Sequence, residues 1–432
     1  MKYLVLVLMI ATAAPVAARD LNLDQTLRLA EGHSGQLKAS RSLYDASGGT
    51  VAGAKAERLP TLSLQARASY INDIPSLNID IPGFFQMSRE IGSKENYQTD
   101  LNLSVPLYTG GRISSGIAAA QSRSEYARAS ADATLSGVRL QARMDFFGLN
   151  RALQTRRAAE ASRARTEIIN RDVRSSLAAG AADSVDILES NLALTRAEFQ
   201  VRQAEAAVRV QSVQLATHLG LPVTEPLTVN DTLPDPDGDM MTVPETVSRP
   251  EHEAAAASVG LAEAGLKSAR SGWLPALSAY AGYSYGKPNN DQFNGGWNDY
   301  ATVGAQLQWS LNLGMKTARS TESARYELEA ARFRMQDVDE TINREVEVAA
   351  ENLRLAYSQY ASARDQYRIT KDNYRLARSQ RESGALSANR LLEIEAALTE
   401  AEALALAAKV DFYVAQSSYY YATGDDKLGE GI

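Results

Sequence analysis

Cysteine is absent from the 432 residues of this sequence. Disulfide bonds are therefore excluded, and we expect no lipid anchor of the kind that is attached to an N-terminal cysteine. Histidine is almost as scarce: His33, His218 and His252 stand apart from one another, so we predict no metal site and no cofactor. The sequence also lacks a phosphate-binding glycine loop and a nucleophile elbow, and we predict that the protein is not an enzyme.

Long apolar runs are missing beyond the N-terminus, where no stretch approaches the roughly 18 apolar residues of a membrane-spanning helix. Contact with a bilayer would therefore use β-strands. The N-terminus differs, because Lys2 precedes the apolar run Leu4–Ile10 and small residues follow at Val16-Ala17-Ala18. We predict a secretory signal peptide over residues 1–18, cleaved after Ala18; its apolar run is too short for a transmembrane anchor.

Basic and aromatic residues are also limited. The net charge is -7 and the basic residues are scattered, which argues against a nucleic-acid partner. Only 8 Phe and 3 Trp accompany abundant Ala. This composition favours thin seams between helices over one thick hydrophobic core.

Four segments alternate apolar and polar residues with a period of two, as β-strands with one apolar face do. They are predicted at about 60–71, 97–108, 275–286 and 298–311, and each is long enough to cross the hydrocarbon of a membrane at a tilt. Residues 72–96 contain Pro75, Pro82 and Gly83 and are expected to form a loop. Aromatic residues near the strand ends suit an interfacial girdle, although any single pair would also fit a soluble hairpin. These residues are Tyr70, Tyr97, Tyr108, Tyr285, Trp297, Tyr300 and Trp309.

The number of strands has a consequence for assembly. A closed barrel needs about eight strands, and open edges are not tolerated in lipid. Several chains must therefore contribute to one barrel. The residues alone allow a dimer with eight strands or a trimer with twelve.

The sequence is internally duplicated. Three glycines, Gly110, Gly180 and Gly220, recur 204 positions later as Gly314, Gly384 and Gly424. Leu59-Pro60 recurs as Leu274-Pro275 at an offset of 215, so the first copy carries eleven extra residues between its strands. We predict a first repeat over 19–220, a linker rich in Pro and Asp over 221–250, a second repeat over 251–424 and a short mobile tail over 425–432.

Long helices are predicted after each pair of strands, at about 112–176 and 183–219 and again at about 314–382 and 388–422. Apolar residues recur at every seventh position of the helix over 183–219, which indicates coiled-coil packing along its length. The residues are Ile187, Leu194, Val201, Val208 and Leu215. A second apolar stripe beside the first favours a hollow cylinder of helices, and a compact bundle is the alternative.

The sequence resembles the TolC-like outer-membrane efflux protein family, the outer-membrane factors of tripartite efflux and type I secretion systems. The segments that carry the resemblance are VPLYTGGR at Val105–Arg112, SRPE at Ser248–Glu251, GWLPA at Gly272–Ala276, GAADSVDIL at Gly180–Leu188 and GALSANRLL at Gly384–Leu392. The resemblance implies a membrane β-barrel that continues into a long α-helical coiled-coil barrel. It implies a homotrimer, in which four strands per chain build a twelve-stranded barrel above a twelve-helix tunnel.

The resemblance also implies a function and its partners. The expected partners are a periplasmic adaptor (membrane fusion) protein, an inner-membrane pump of RND or ABC type, and the lipid of a Gram-negative outer membrane. The expected function is a channel-tunnel that exports small molecules, metals or proteins across the periplasm and outer membrane. The alternative is a periplasmic or surface coiled-coil scaffold or adhesin without a conduit.

In this family the two helix turns form the periplasmic mouth. Acidic side chains six and nine residues after the turn glycine narrow it, and the matching positions here are Asp186, Glu189, Arg390 and Glu393. The arginine departs from the pattern. We hypothesise that Arg390 pairs with Asp186 or Glu189 and fastens a gate, although solvated charges at a helix start would look the same.

Two further sets of residues follow from the resemblance and the repeat. Contacts with the adaptor are expected at the helix tips, Leu177, Gly180, Ala181, Ala182, Ser383, Gly384, Ala385 and Leu386. Junctions between strands and helices are expected at Pro60, Gly110, Gly111, Pro275 and Gly314.

Overall fold

The computed structural model describes residues 19–229, 233–237, 247–291 and 296–431. The predicted signal peptide lies outside these residues. The chain divides into two compact units: unit 1 contains residues up to 41, 129–252 and 338–432, and unit 2 contains residues 42–128 and 253–337. Within the described ranges, no helix combines the length and the apolarity that a membrane span requires.

Seven helices occur in the described chain, and most of them form pairs of equal length. Helices α3 (Arg112–Ala178) and α6 (Lys316–Glu382) have 67 residues each, and α4 (Ser184–Leu219) and α7 (Ala388–Thr423) have 36 each. Helices α2 (Gly35–Ala56) and α5 (Pro250–Ser271) have 22 each, and α1 is Leu23–His33. The members of each pair start at the offsets that relate the two copies of the sequence.

Unit 2 contains a four-stranded antiparallel sheet. Its strands are β2 (Thr61–Tyr70), β5 (Glu95–Tyr108), β7 (Ala276–Lys287) and β8 (Asn298–Gln308), in the order β2-β5-β7-β8. Leu62 and Leu64 of β2 share one face of the sheet, because side chains alternate across a strand. Both side chains are exposed in the single chain. β2 and β8 are the edge strands, and neither pairs with a further strand of the described chain.

A separate hairpin lies where the sequence predicted a loop. Strand β3 (Ser76–Ile81) pairs with β4 (Phe85–Glu90) in antiparallel register, and the expectation of a loop over 72–96 is wrong. The turn between them places Pro82 second and Gly83 third, with φ +85° at Gly83 and a 3.0 Å hydrogen bond from Phe84 N to Ile81 O. This is a type II turn, which uses proline and glycine as turn residues between two strands.

The largest apolar cluster lies in unit 1, and we call it the central cluster. Phe146 and Phe147 of α3 are fully buried in it. Phe147 stacks on Tyr413 of α7 with ring centroids 5.7 Å apart, and Tyr413 meets Phe412 edge-on at 5.4 Å. Leu23 and Leu27 of α1 are buried here as well. The short strands β1 (Arg19–Leu21) and β6 (Leu227–Val229) pair in parallel and add Leu21 and Leu227 to the cluster. The buried phenylalanines of the described helices, Phe146, Phe147 and Phe412, therefore all lie in this one cluster.

Two buried arginines accompany the central cluster. Arg249 hydrogen-bonds Glu251 at 2.8 Å and Glu345 at 2.9 Å. Burial alone would lower the pKa of the Arg249 guanidinium, but these two carboxylates raise it above its ordinary value. Arg143 is 2% exposed and donates to the carbonyl oxygens of Lys427, Leu428 and Glu430 at 3.2, 3.3 and 2.6 Å. Arg143 thus connects these tail residues to α3, and the mobility of the tail stays a prediction.

Candidate gate at the helix tips

The two helix tips of unit 1 have the same backbone structure. Helix α3 ends at Ala178 and α6 at Glu382, and the glycines that follow, Gly180 and Gly384, have φ of +75° and +77°. In each tip the residue after the glycine donates its N–H to a carbonyl five residues back, at 2.8 Å. This is the Schellman closure of a helix, and its left-handed residue favours glycine. The tips are therefore tight turns that project little side-chain bulk.

The helices that leave the tips begin with side-chain caps. Asp183 Oδ1 accepts from the backbone N–H groups of Val185 and Asp186 at 2.7 and 2.9 Å, and the Asp186 carboxylate accepts from Asp183 N at 3.2 Å. In the second tip Ser387 Oγ accepts from Arg390 N at 3.3 Å. Asp186, a predicted gate residue, is thus also half of a capping box at the start of α4.

The other predicted gate residues are exposed or paired locally. Arg390 forms an ion pair at 2.6 Å with Glu393 one turn along α7, and both side chains are largely exposed. Within the described chain Arg390 makes no ion pair with Asp186 or Glu189, and Glu189 has no hydrogen-bond partner. A single chain therefore pairs Arg390 with Glu393 and leaves the carboxylate of Glu189 available for a hydrogen bond or an ion pair.

Two residues that the sequence reading missed link the tips to each other. Arg381, near the end of α6, donates from Nε to Asp172 Oδ2 at 3.0 Å and from a terminal nitrogen to Ser176 Oγ at 3.3 Å, both on α3. Asn389 of α7 donates from Nδ2 to Asp186 Oδ1 of α4 at 3.2 Å. These contacts join the first tip to the second on both sides of the turns.

The two repeats differ in sequence at the positions of Arg381 and Asn389, and this difference could have identified both residues. At the offset of 204, Arg381 corresponds to Leu177 and Asn389 to Val185, so an apolar residue of the first repeat is replaced by a hydrogen-bonding residue in the second. Arg390 corresponds to Asp186 and reverses the charge. All three differences lie within ten residues of the turns. Two of these three divergent positions, Arg381 and Asn389, make the cross-tip contacts, whereas Arg390 pairs within its own helix.

A small apolar cluster lies behind the tips, and we call it the tip cluster. Its buried members come from α3, α6 and α7, and they are Ile169, Val173, Ala377, Ala388, Leu391 and Ile394. Next to it Glu395 is 4% exposed and accepts from Ser162 at 3.0 Å, Arg165 at 3.1 Å and Thr399 at 2.8 Å. A buried carboxylate needs such partners, because an unpaired one would cost several kcal/mol.

A groove of about 980 Å³ runs beside these residues between α3, α4 and α7. Eight of its 22 lining residues are alanines, and four are glutamates: Glu189, Glu393, Glu395 and Glu400. A groove with small residues and carboxylates but no deep apolar pocket suits the passage or contact of polar groups better than the tight binding of one small molecule.

The chain is similar to known proteins over most of its length. A family model for the outer membrane efflux protein matches residues 26–221 and 246–425, most of the chain. The chain belongs to this family. Its members are efflux channels of the Gram-negative outer membrane that extend into the periplasm, and they are not enzymes. The protein is therefore an outer-membrane efflux channel-tunnel, and the alternative of a scaffold or adhesin without a conduit is not favoured.

Solved structures of outer-membrane channels share its fold. The CmeC channel of Campylobacter jejuni has a TM-score of 0.78 and 16% identity, over 94% of this chain and 86% of that chain. The VceC outer membrane protein of Vibrio cholerae has a TM-score of 0.75 and 14% identity, over 93% of this chain and 96% of that chain. The open state of the MtrE channel of Neisseria gonorrhoeae has a TM-score of 0.70 and 18% identity, over 93% of this chain and 89% of that chain. These structures confirm the TolC-like fold of this efflux protein. A comparison with curated proteins finds no match.

The junctions of the efflux protein lie in unit 2. Pro60 and Pro275 directly precede β2 and β7, and the glycine pair Gly110-Gly111 lies between β5 and α3 with φ of +61° and +90°. A Cβ at Gly110 would come within 2.8 Å of Leu274 Cβ. Gly314 lies in the matching position before α6. The chain thus passes from sheet to helix through a left-handed turn that leaves no room for a side chain at Gly110.

Proposed function

We propose that three copies of this efflux protein assemble into one conduit, in which twelve strands close a barrel in the outer membrane and twelve helices form a tunnel through the periplasm. The four-stranded sheet carries this proposal, because β2 and β8 each leave one edge without a partner in the described chain. Unpaired backbone N–H and C=O groups are not tolerated in hydrocarbon. Pairing of β2 with β8 of a neighbouring copy would satisfy both edges, and proteins of this family are trimeric.

Substrates would enter the tunnel from a periplasmic adaptor and an inner-membrane pump of RND or ABC type, since channels of this family work in tripartite systems. The mature chain would begin after Ala18 and comprise the two repeats, the linker over 221–250 and the tail. The tip residues at Leu177–Ala182 and Ser383–Leu386 would contact the adaptor. Their tight turns and small side chains support this role, because they allow another helical hairpin to approach closely.

The gate would lie at the same end. The four residues lie on the first two turns of α4 and α7, and three copies would place twelve charged side chains around one mouth; they are Asp186, Glu189, Arg390 and Glu393. We propose that Arg390 pairs with Asp186 or Glu189 of an adjacent copy when the mouth is closed, in exchange for its exposed local partner Glu393. An exposed i, i+3 pair is worth less than about 1 kcal/mol, so this exchange requires little free energy.

Purification from outer membranes tests the assembly. We expect the native protein in detergent to have the mass of three chains by light scattering, to change its migration on heating, and to form pores in planar bilayers. A monomer or dimer with an intact fold would contradict the trimer. A trimer that forms no pores would contradict the conduit.

A further inference from the structure

The hairpin of β3 and β4 continues the barrel sheet beyond a bend. Past the end of β2, Ile71 N still donates to Lys94 O at 2.8 Å, and past the bend Ile91 N donates to Pro75 O at 2.9 Å. Gly92 lies at the bend with φ +107°, a conformation that favours glycine. We call residues 72–94 the arm. It extends from β2 and β5 at the end away from α2 and α3, and the described residues between β7 and β8 of the second repeat contain no matching strands.

One face of the arm is apolar and uncovered. The register pairs Ile79 with Met87, Ile81 with Phe85 and Leu77 with Arg89. Five apolar side chains therefore share one face, and Arg89 lies on that face at the end away from the turn. The next residues along each strand, Asn78, Asp80, Gln86 and Ser88, lie on the opposite face. Phe84 at the turn is 89% exposed. In the described chain β3 and β4 form a sheet of their own, which pairs with no other strand.

An arm of this kind is incomplete in a single chain. A two-stranded hairpin is only marginally stable in water unless its apolar face packs on something else. An apolar face framed by polar residues marks a contact site. The arm extends directly from β2, the edge strand that faces a neighbouring copy in the trimer proposed above. Because each arm continues from this edge strand, a trimer would bring three arms with the same apolar face to one rim of the sheet.

We propose that the three arms pack their apolar faces against one another and form a lid over the outer mouth of the channel. The lid is a contact between copies of this chain, and it rests on the proposed trimer. Family members extend their helices into the periplasm, so the opposite end of the sheet faces the outside of the cell. The lid requires that the bend at Gly92 turn each arm toward the axis of the trimer.

The absence of native cysteine makes a direct test possible, because any thiol cross-link must join two copies. Met87→Cys places a thiol on the apolar face, and Ser88→Cys places one on the polar face of the same strand. We expect oxidant or a short bifunctional maleimide to shift Met87→Cys from monomer to covalent dimer on denaturing gels and to leave Ser88→Cys monomeric. Replacement of residues 76–90 by a short glycine-serine turn should raise single-channel conductance.

Three results would overturn the lid. The first is a trimer in which Met87→Cys does not cross-link, and the second is equal cross-linking of both variants. The third is strong quenching of a bimane label on Met87→Cys by spin-labelled lipid, which would place the apolar face in the membrane instead. The mass of the unreacted protein separates the two proposals. Monomers would refute the trimer and the lid together, whereas uncross-linked trimers would refute the lid alone.

Discussion

The central cluster and the helix tips of unit 1 differ in the side chains that hold their helices together. The central cluster uses aromatic rings and two buried arginines, Arg143 and Arg249, each with several hydrogen bonds. The tips use the small tip cluster and polar contacts near the surface, such as that of Arg381 with Asp172. Large buried rings and satisfied buried cations resist separation, whereas partly exposed pairs exchange with water at little cost.

This difference suits a channel that must stay assembled while one end opens. The largest buried apolar cluster of unit 1 lies where α1, α3, α4, α6 and α7 meet. The cross-tip contacts of Arg381 and Asn389 are the links that must break if the tips separate. Substitutions in the two regions should therefore separate stability from gating.

Arg143→Met should have the largest effect, and it should act on stability. It removes a buried cation and takes the Arg143 donor away from the carbonyls of Leu428 and Glu430, whereas Lys427 O keeps the backbone N–H of Glu430. We expect this loss to cost at least about 2 kcal/mol. The melting temperature of the purified protein, followed by circular dichroism, should fall clearly, and carboxypeptidase should remove the tail faster. Arg151→Met is the matched control about two turns along α3, since Arg151 is nearly half exposed and pairs with Asp411 of α7. An unchanged melting temperature in Arg143→Met would contradict this account of the central cluster.

Arg381→Met should act on gating with little effect on stability. It removes the hydrogen bonds from α6 to Asp172 and Ser176, and it should raise the closed-state current of single channels in planar bilayers. The melting temperature should change little, because these contacts are partly exposed. Arg378→Met is the control, since Arg378 lies one turn earlier and pairs with Glu382 of its own helix. An equal rise in both variants would show that charge near the tip matters and the cross-tip contact does not.

The tip turns were accessible from the sequence because glycine at the same offset in two repeats reports a left-handed turn. The pair Asp183-x-x-Asp186 also resembles a capping box, although the sequence reading assigned Asp186 only to the gate. Arg381 was missed because arginine inside a long polar helix reads as a surface residue. Its partners Asp172 and Ser176 lie on another helix, and no local pattern predicts them.

The arm and the buried Arg143 were missed for different physical reasons. Leu77, Ile79 and Ile81 alternate with polar residues as a strand does, but Pro75, Pro82 and Gly83 were taken as breakers of structure. The proline and glycine at 82 and 83 are in fact the second and third residues of a turn between two strands. Arg143 is buried because a tail almost 290 residues later covers it, and that contact has no signature in the flanking sequence.

Arg390→Ala should have the smallest effect of the three, and it sharpens the comparison by asking which charges face the mouth. The variant loses an exposed pair with Glu393, so the melting temperature should not change measurably.

The effect on the channel should be electrostatic. If the first two turns of α4 and α7 line the mouth, the loss of three arginines per trimer leaves the carboxylates of the mouth unopposed. The closed-state current should then rise, and the reversal potential in a salt gradient should shift toward cation selectivity, less so at high salt. Glu393→Gln removes the same pair but the opposite charge and should shift the reversal potential the other way. If both variants shift it in the same direction, the effect comes from the broken pair and not from charge in the mouth. If neither the current nor the potential changes in Arg390→Ala, Arg390 does not belong to the gate.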